Sequence, residues 1–244
     1  MKPDPSRPLS QCTIGILGGM SNQATSHYYS QLNDRLNSLY GGWDNGEIVI
    51  VSVNFGNIER FVRHGLWDEA KAYLDEKITR LEGAGADVIL CVSNTMHQVV
   101  GPLMEARSTH FIHIADPTGD AIQAAGLKKV ALLGTLPVMN SLEVVRRFQE
   151  KYGVSVIVPG DSDKLIVDHI IFDQLVRGDL RAESKAEYLR IVEAAREQGA
   201  EGVILGCTEI FLLIDQTDLP GFPVFDTATL HVDAAVAFVK AHKG

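Results

Sequence analysis

Cysteine is scarce in this chain. Cys12, Cys91 and Cys207 are its only three, spread over 244 residues. An odd number of widely spaced thiols does not make a disulfide framework, and a chain of this length needs no such staples, so reduced thiols are expected. No apolar run reaches the roughly 18 residues that a membrane-spanning helix requires. No block of basic residues is present, and 22 Lys and Arg stand against 31 Asp and Glu, a net charge of −9. Such a balance disfavours nucleic acids and anionic membranes as partners. No Cys or His pair has metal-ligand spacing of the C-x-x-C or H-E-x-x-H kind, so no metal site is expected. The opening stretch Met1–Gln11 is polar and contains proline but no apolar signal core, which points to a cytoplasmic protein.

What the chain does have is a regular alternation. Short apolar runs at Thr13–Leu17, Glu47–Val53, Val88–Val92, Phe111–Ile114, Val130–Leu133, Val154–Val158 and Val203–Leu205 read as strands buried on both faces. Between them lie helical patterns. One covers Leu66–Leu81, with apolar residues at Leu66, Ala70, Leu74, Ile78 and Leu81; another covers Lys185–Gln198 and stops at Gly199. This alternation predicts an α/β fold with mainly parallel sheet. An internal repeat sharpens it. Gly85-Ala86-Asp87, an apolar run and Ser93-Asn94-Thr95 match Gly199-Ala200-Glu201, an apolar run and Cys207-Thr208-Glu209 at an offset of 114 positions; Ile14–Gly19 matches Val130–Thr135 at 116. Two matches at nearly one offset predict a duplicated α/β unit. Ser93 and Cys207 then occupy mirror positions just past strand ends, where open α/β sheets bind ligands.

Several residues in these loops have two readings. Cys207 is either a small buried packing residue or a thiol activated by a helix opening after Gly206, with Glu209 working partly against thiolate formation; its mirror relation to Ser93 favours the second. Ser93, Asn94 and Thr95 read as caps of a helix that Gly101-Pro102 soon breaks, and as the walls of an anion pocket. Gly18-Gly19-Met20-Ser21 lacks the third glycine of G-x-G-x-x-G, which argues against a dinucleotide and for a close-approach loop around a small anion. Arg60, soon after Asn54, is either a clamp for a carboxylate or a solvated helix-face arginine. Cys91, inside an apolar strand, reads as packing, and Cys12 has no evident role. His97 and His231 are noted as candidates of undecided role.

Taken in order, Ile16-Leu-Gly-Gly-Met20 with Ala24-Thr25, Ser93-Asn94-Thr95-Met96-His97, His113-Ile-Ala-Asp116, Leu133-Gly-Thr135, Gly206-Cys-Thr-Glu-Ile210 and Asp226-Thr-Ala-Thr-Leu-His231 resemble the cofactor-independent aspartate/glutamate racemases, from Thr13 to about Ala241. The resemblance implies two similar three-layer α/β domains with parallel sheets, related by a pseudo-two-fold axis, with the active site between them. The expected boundaries are 1–116 plus 226–244 for the first domain and 117–225 for the second. It also implies an isomerase that uses neither PLP nor a metal, a homodimer, and a small amino-acid or dicarboxylate substrate.

In that family two cysteines flank the substrate α-carbon, one removing the proton as thiolate and the other returning one as thiol. Cys207 matches the second. The first is replaced by Ser93, a far weaker acid, which implies unequal handling of the two enantiomers. By the same resemblance Met20, Ser21, Asn54, Asn94, Thr95, Thr135, Thr208 and Glu209 line the substrate site, with Arg60 and Arg177 binding its carboxylates. Val138 stands where many relatives carry Thr, which makes the pocket less polar. A single-cysteine site also resembles the arylmalonate decarboxylases. A maleate-type isomerase and a non-catalytic ligand-binding relative are the remaining alternatives.

Overall fold

The computed structural model describes residues 12–242; the polar stretch Met1–Gln11 lies outside them. The chain divides into two compact units. One comprises the chain up to Val92, Met96–His113 and the chain from His231 on; the other comprises Ser93–Thr95 and Ile114–Leu230.

The first unit runs β1 (Thr13–Gly18), α1 (Asn22–Tyr40), β2 (Glu47–Ser52), α2 (Phe55–His64), α3 (Trp67–Gly83), β3 (Val88–Cys91), α4 (His97–Glu105) and β4 (His110–Phe111). Its four strands are all parallel, in the order β2-β1-β3-β4. The apolar stripe predicted for the third helix is realised: Ala70, Leu74, Ile78 and Leu81 are fully buried and pack with Leu17, Ile89 and Cys91. Cys91 is thus a packing residue. Ser21 caps α1, its hydroxyl accepting from Ala24 N–H, and Asn54 caps α2, its Oδ1 accepting from Gly56 N–H at 2.9 Å.

The second unit follows with α5 (Ala115–Ala124), β5 (Lys129–Gly134), the single turn α6 (Leu136–Met139), α7 (Leu142–Tyr152), β6 (Ser155–Ile157), α8 (Asp161–Asp173), α9 (Ala182–Glu197), β7 (Val203–Gly206), β8 (Val224–Asp226) and α10 (Thr227–Ala241), which continues into the first unit. Its sheet is also parallel, in the order β6-β5-β7-β8. Among the described residues the molecule therefore holds two four-stranded parallel sheets of the same relative order.

The repeat seen in the sequence has a physical basis in both units. Gly85 and Gly199 follow α3 and α9 with φ of 84° and 90°. This left-handed region favours glycine, and it lets Ala86 and Ala200 N–H reach back to the carbonyls of Leu81 and Ala195. The acid that follows then ties down the neighbouring strand. Asp87 accepts from Thr13 N–H at 2.7 Å, and Glu201 accepts from Lys128 and Lys129 N–H at 2.7 and 2.9 Å. Each Gly-Ala-acid triplet thus turns the chain and sets the register of the next strand.

Four local expectations are corrected. The Phe111–Ile114 run supplies a strand only at His110–Phe111, because the carbonyl of Ile112 is taken by His231 and Ala115 begins a helix. Gly101-Pro102 does not break α4, which runs through Pro102 to Glu105; Gly101 has no Cβ to collide with the proline ring. Ser93, Asn94 and Thr95 do not cap that helix, whose first flanking residue is Met96 without a side-chain cap bond. After Gly206 the chain forms a three-residue 3₁₀ turn, Ile210–Leu212, rather than a longer helix. The strand β8 was not foreseen in the sequence; three residues after a Pro-Gly-Phe-Pro stretch give no period to detect.

Candidate active site

Strand register places the chemistry. Within the second unit β5 pairs with β7, Gly134 opposite Gly206, and β7 pairs with β8, Leu205 opposite Asp226. Thr135, Cys207 and Thr227 therefore leave three adjacent strands at the same carboxyl end. The Ser93–Thr95 tripeptide is fastened to the two outer members. Thr95 Oγ1 and Thr135 Oγ1 are 2.9 Å apart, and Asn94 Nδ2 donates to Thr227 Oγ1 at 3.0 Å. Thr227 in turn donates to the carbonyl of Leu205 at 2.8 Å, two residues before Cys207. The Asn94 and Thr95 side chains, foreseen as helix caps, make these cross-links instead. Because β7 lies between β5 and β8, the tripeptide spans the strand end from which Cys207 emerges.

Cys207 is buried and belongs to the apolar cluster that includes Val167, Tyr188, Ile191 and Leu205. Its Sγ donates to Glu209 Oε2 at 3.0 Å, and the Thr208 hydroxyl donates to the same oxygen at 3.0 Å. Thr208 and Glu209 are themselves almost fully buried. Burial, followed by the Glu209 carboxylate and the hydrogen bond to it, pushes the Cys207 thiol well above the ordinary range, and Asp168 adds to the effect. This corrects the sequence-based expectation of a thiolate favoured by a helix terminus. The 3₁₀ turn supplies little dipole, and the nearest charge is negative. At rest Cys207 is a thiol, with a carboxylate in hydrogen-bond reach of its proton.

The remaining positions fall into groups. Thr135 is buried at the start of α6, and its neighbour Leu136 N–H donates to the buried Asp168 Oδ1 at 2.8 Å. Val138 is buried in an apolar cluster with Leu132, Ile204 and Phe225. A Cβ added at Gly134 or Gly206 would meet its γ-methyl at 3.1 or 3.5 Å, so valine fills the space between two strand-end glycines. Arg177 is exposed at the end of the 3₁₀ turn Leu175–Arg177.

In the first unit Met20 is buried in the core beneath α2 and α3, Ser21 and Asn54 are helix caps, and Arg60 is exposed on α2 with its guanidinium 5.6 Å from the Phe61 ring. Gly19 does approach something closely. At φ 84° its α-carbon faces the backbone of Val53, whose oxygen would lie 2.2 Å from an added Cβ.

His97 and His231 lie in the first unit as well. The His97 ring packs on Phe111, His113 and His231. His231 Nε2 is 2.8 Å from the Ile112 carbonyl and Nδ1 is 3.0 Å from Tyr28 Oη, which fits a ring donating through Nε2 and accepting from tyrosine. Thr227 and Asp168 had no role in the sequence-based reading. Asp168 had a detectable signal, a lone acid in the apolar run Leu165–Ile171. Among the described residues no group of three or more His, Cys, Asp or Glu is arranged to hold a metal ion.

A buried thiol thus lies at the end of a parallel strand, with an acid two residues on and a polar tripeptide fastened to the flanking strands. The family model for Asp/Glu/hydantoin racemases matches residues 17–235. The chain belongs to that family, and racemases are isomerases. A candidate Asp/Glu racemase from Yersinia pestis is 36% identical, with a TM-score of 0.84 over 93% of this chain and 99% of that one. An aspartate racemase homologue from Pyrococcus horikoshii OT3 is 32% identical, with a TM-score of 0.79 over 94% and 99%. The broad specificity amino-acid racemase RacX of Bacillus subtilis is 24% identical over 242 residues, covering 94% of this chain and 99% of that protein. A likeness to arylmalonate decarboxylase, at 14% identity and a TM-score of 0.55, shows the fold alone. Among the described residues no helix is long and apolar enough to cross a membrane.

Proposed function

We propose that this member of the racemase family interconverts the enantiomers of aspartate, glutamate or a related amino acid without PLP, with Cys207 as its principal acid/base and Ser93 serving the opposite face of the α-carbon. The observation that carries the reading is the Cys207–Glu209 hydrogen bond beneath a tripeptide that Thr135 and Thr227 hold in place. The family membership and the broad specificity relative support the reaction class.

In this mechanism the Cys207 proton passes to the Glu209 carboxylate, and the thiolate so formed takes the substrate α-proton. The electron pair left on carbon is delocalised into the substrate α-carboxylate; N–H groups of Asn94, Thr95, Thr135 and Thr208 and the guanidinium groups of Arg60 and Arg177 would hold the substrate's carboxylates. Reprotonation from the other face gives the opposite enantiomer. Ser93 is too weak an acid to hold a useful alkoxide near neutral pH, so it relays a proton from solvent water to the carbanion, and Glu209 returns its proton to solvent to close the cycle. In the reverse sense Cys207, already a thiol, is the donor. The two directions therefore place unequal demands on the site: kcat/KM is equal for the two hands, because enantiomers have equal free energy, but kcat and KM differ and α-deuterium enters one hand faster than the other.

The test is incubation of the purified protein with both hands of aspartate, glutamate and a wider amino-acid panel in deuterated water, followed by chiral chromatography and mass spectrometry. Incorporation of α-deuterium that is lost in Cys207→Ala supports the proposal. Absence of exchange with every substrate excludes racemisation, and carbon dioxide release from an α-aryl malonate would assign the chain to decarboxylation instead.

A further inference from the structure

Thr227 is the first residue of α10 and is 1% exposed. Asp226 holds it there: Asp226 Oδ1 accepts from Ala228 N–H at 3.0 Å and Oδ2 from the Thr229 hydroxyl at 2.5 Å. A hydroxyl has one hydrogen. That of Thr227 goes to the Leu205 carbonyl, 2.8 Å away, because a carbonyl only accepts. Towards Asn94, 3.0 Å away, Thr227 Oγ1 is therefore an acceptor, and the amide must present Nδ2 to it. Turned round, the Asn94 oxygen and the Leu205 carbonyl would compete for one proton, at the cost of an unsatisfied acceptor. The Thr95 and Thr135 hydroxyls have no such constraint, since either can donate. The two ends of the Asn94 amide are thus fixed by the fold.

We infer that the Asn94 side chain receives the substrate α-ammonium group on Oδ1, and that Thr227 is the positioning residue that turns the amide this way. The inference rests on the reading of the strand ends around Cys207 as the substrate site. Asn94 directly follows Ser93, and Thr227 ties it to a carbonyl two residues before Cys207. Among the described residues the Asn94 side chain makes no second hydrogen bond, and the residue is partly exposed. With one N–H spent on Thr227, Oδ1 and the second N–H remain for a ligand. An acceptor and a donor two bonds apart complement an ammonium and a carboxylate carried on one carbon. The opposite orientation would offer two N–H groups and no acceptor, which suits carboxylates alone. A neutral amide oxygen is also too weak a base to take the ammonium proton. The group stays charged and stabilises the negative charge that develops on the neighbouring carbon. The site then separates an α-amino acid from the acid that lacks only the ammonium group.

Titration calorimetry compares each amino acid of the exchange panel with its des-amino counterpart, aspartate with succinate and glutamate with glutarate among them. The wild-type protein should bind the amino acid more tightly. Asn94→Ala is expected to cut that preference about tenfold or more, the usual loss of a hydrogen bond to a charged group. Loosening of the tripeptide alone weakens both ligands alike and leaves the ratio of their Kd values where it was. Thr227→Val removes both hydroxyl bonds and should also lower the preference, and Thr227→Ser should restore it. A wild-type ratio in Asn94→Ala overturns the ammonium assignment, as does an amino acid that binds no more tightly than its counterpart or not at all. A wild-type ratio in Thr227→Val overturns the positioning role. Neutron diffraction from crystals grown in deuterated water reads the orientation directly and needs no variant to fold. A Thr227 deuteron directed at the Leu205 carbonyl is expected, and one directed at Asn94 overturns the inference. None of these readouts needs turnover. If amino acids bind with this preference yet acquire no α-deuterium, racemisation fails and the ammonium assignment stands, so the two failures are distinguishable.

Discussion

Cys207 Sγ and Glu209 Oε2 lie 3.0 Å apart, both buried, with the Thr208 hydroxyl donating to the same oxygen. One carboxylate oxygen thus accepts from a thiol and a hydroxyl that are adjacent in the chain. Glu209→Gln keeps an acceptor oxygen but cannot take the thiol proton. Exchange with the enantiomer whose proton Cys207 removes should fall by about 10²-fold or more, the usual loss when a general base is deleted. Steady-state deuterium exchange at several pH values measures this. A Glu209→Gln protein with wild-type rates would show that the carboxylate takes no part in proton transfer.

Ser93→Cys restores a thiol at the mirror position. Exchange with the slower enantiomer should rise while the faster one changes little, narrowing the difference between the two hands. Equal rates before and after the substitution, for both hands, would place Ser93 off the reaction axis.

Thr95 and Thr135 form a buried hydroxyl pair, so a single replacement should cost more than it removes. Thr95→Val or Thr135→Val leaves the other hydroxyl without this partner, at a cost of about 1–3 kcal/mol, whereas the double replacement should cost less than the sum of the two. Urea denaturation of the four proteins gives the coupling. Strict additivity would mean that the two hydroxyls do not interact in solution.

Asp116 stabilises the second unit in a pH-dependent way. Burial alone would raise its pKa, but hydrogen bonds from Arg147, Lys151 and Tyr152 overcome that and hold it at about 2, against 3.8 in the absence of the fold. Arg147 makes two bonds of 2.8 Å to it, and Tyr152 Oη one of 3.0 Å. A folded value below the unfolded one means that the stabilisation is fully present above about pH 4 and disappears as the pH falls towards 2. The amount is about 2 kcal/mol. Asp116→Asn should lower stability at pH 7 and flatten its dependence on pH over that acid window. Thermal melts from pH 2 to 7 test this, and an unchanged slope would remove Asp116 from the account.

Gly19→Ala probes the loop after β1. At φ 84° with the Val53 oxygen 2.2 Å from a new Cβ, alanine forces the backbone apart. A loss of about 2 kcal/mol or more is expected, whether or not a ligand is present. A stability loss that appears only when substrate is bound would instead assign the glycine to ligand approach.

The sequence by itself determined the α/β alternation, the duplication and the family. Buried parallel strands must be continuously apolar, and each Gly-Ala-acid triplet must turn the chain and pin the next strand, so both leave a pattern in the order of residues. It also marked Cys207, Ser93 and Thr135 as strand-end residues. It did not determine what those side chains do. Ser, Asn and Thr ahead of an apolar stretch are ordinary cap residues, and only the pairing of β5, β7 and β8 showed that Asn94 and Thr95 are bound to Thr227 and Thr135 instead. A cysteine after a strand suggested an activated thiolate. The tertiary structure replaced the expected helix with a 3₁₀ turn and buried the sulfur, so the opposition of Glu209 that the sequence foresaw is reinforced by desolvation and the sign of the effect reverses. Local patterns encode backbone shape because neighbouring residues create it; how far one sulfur is withdrawn from water depends on apolar side chains distant in sequence, and only folding packs them around it.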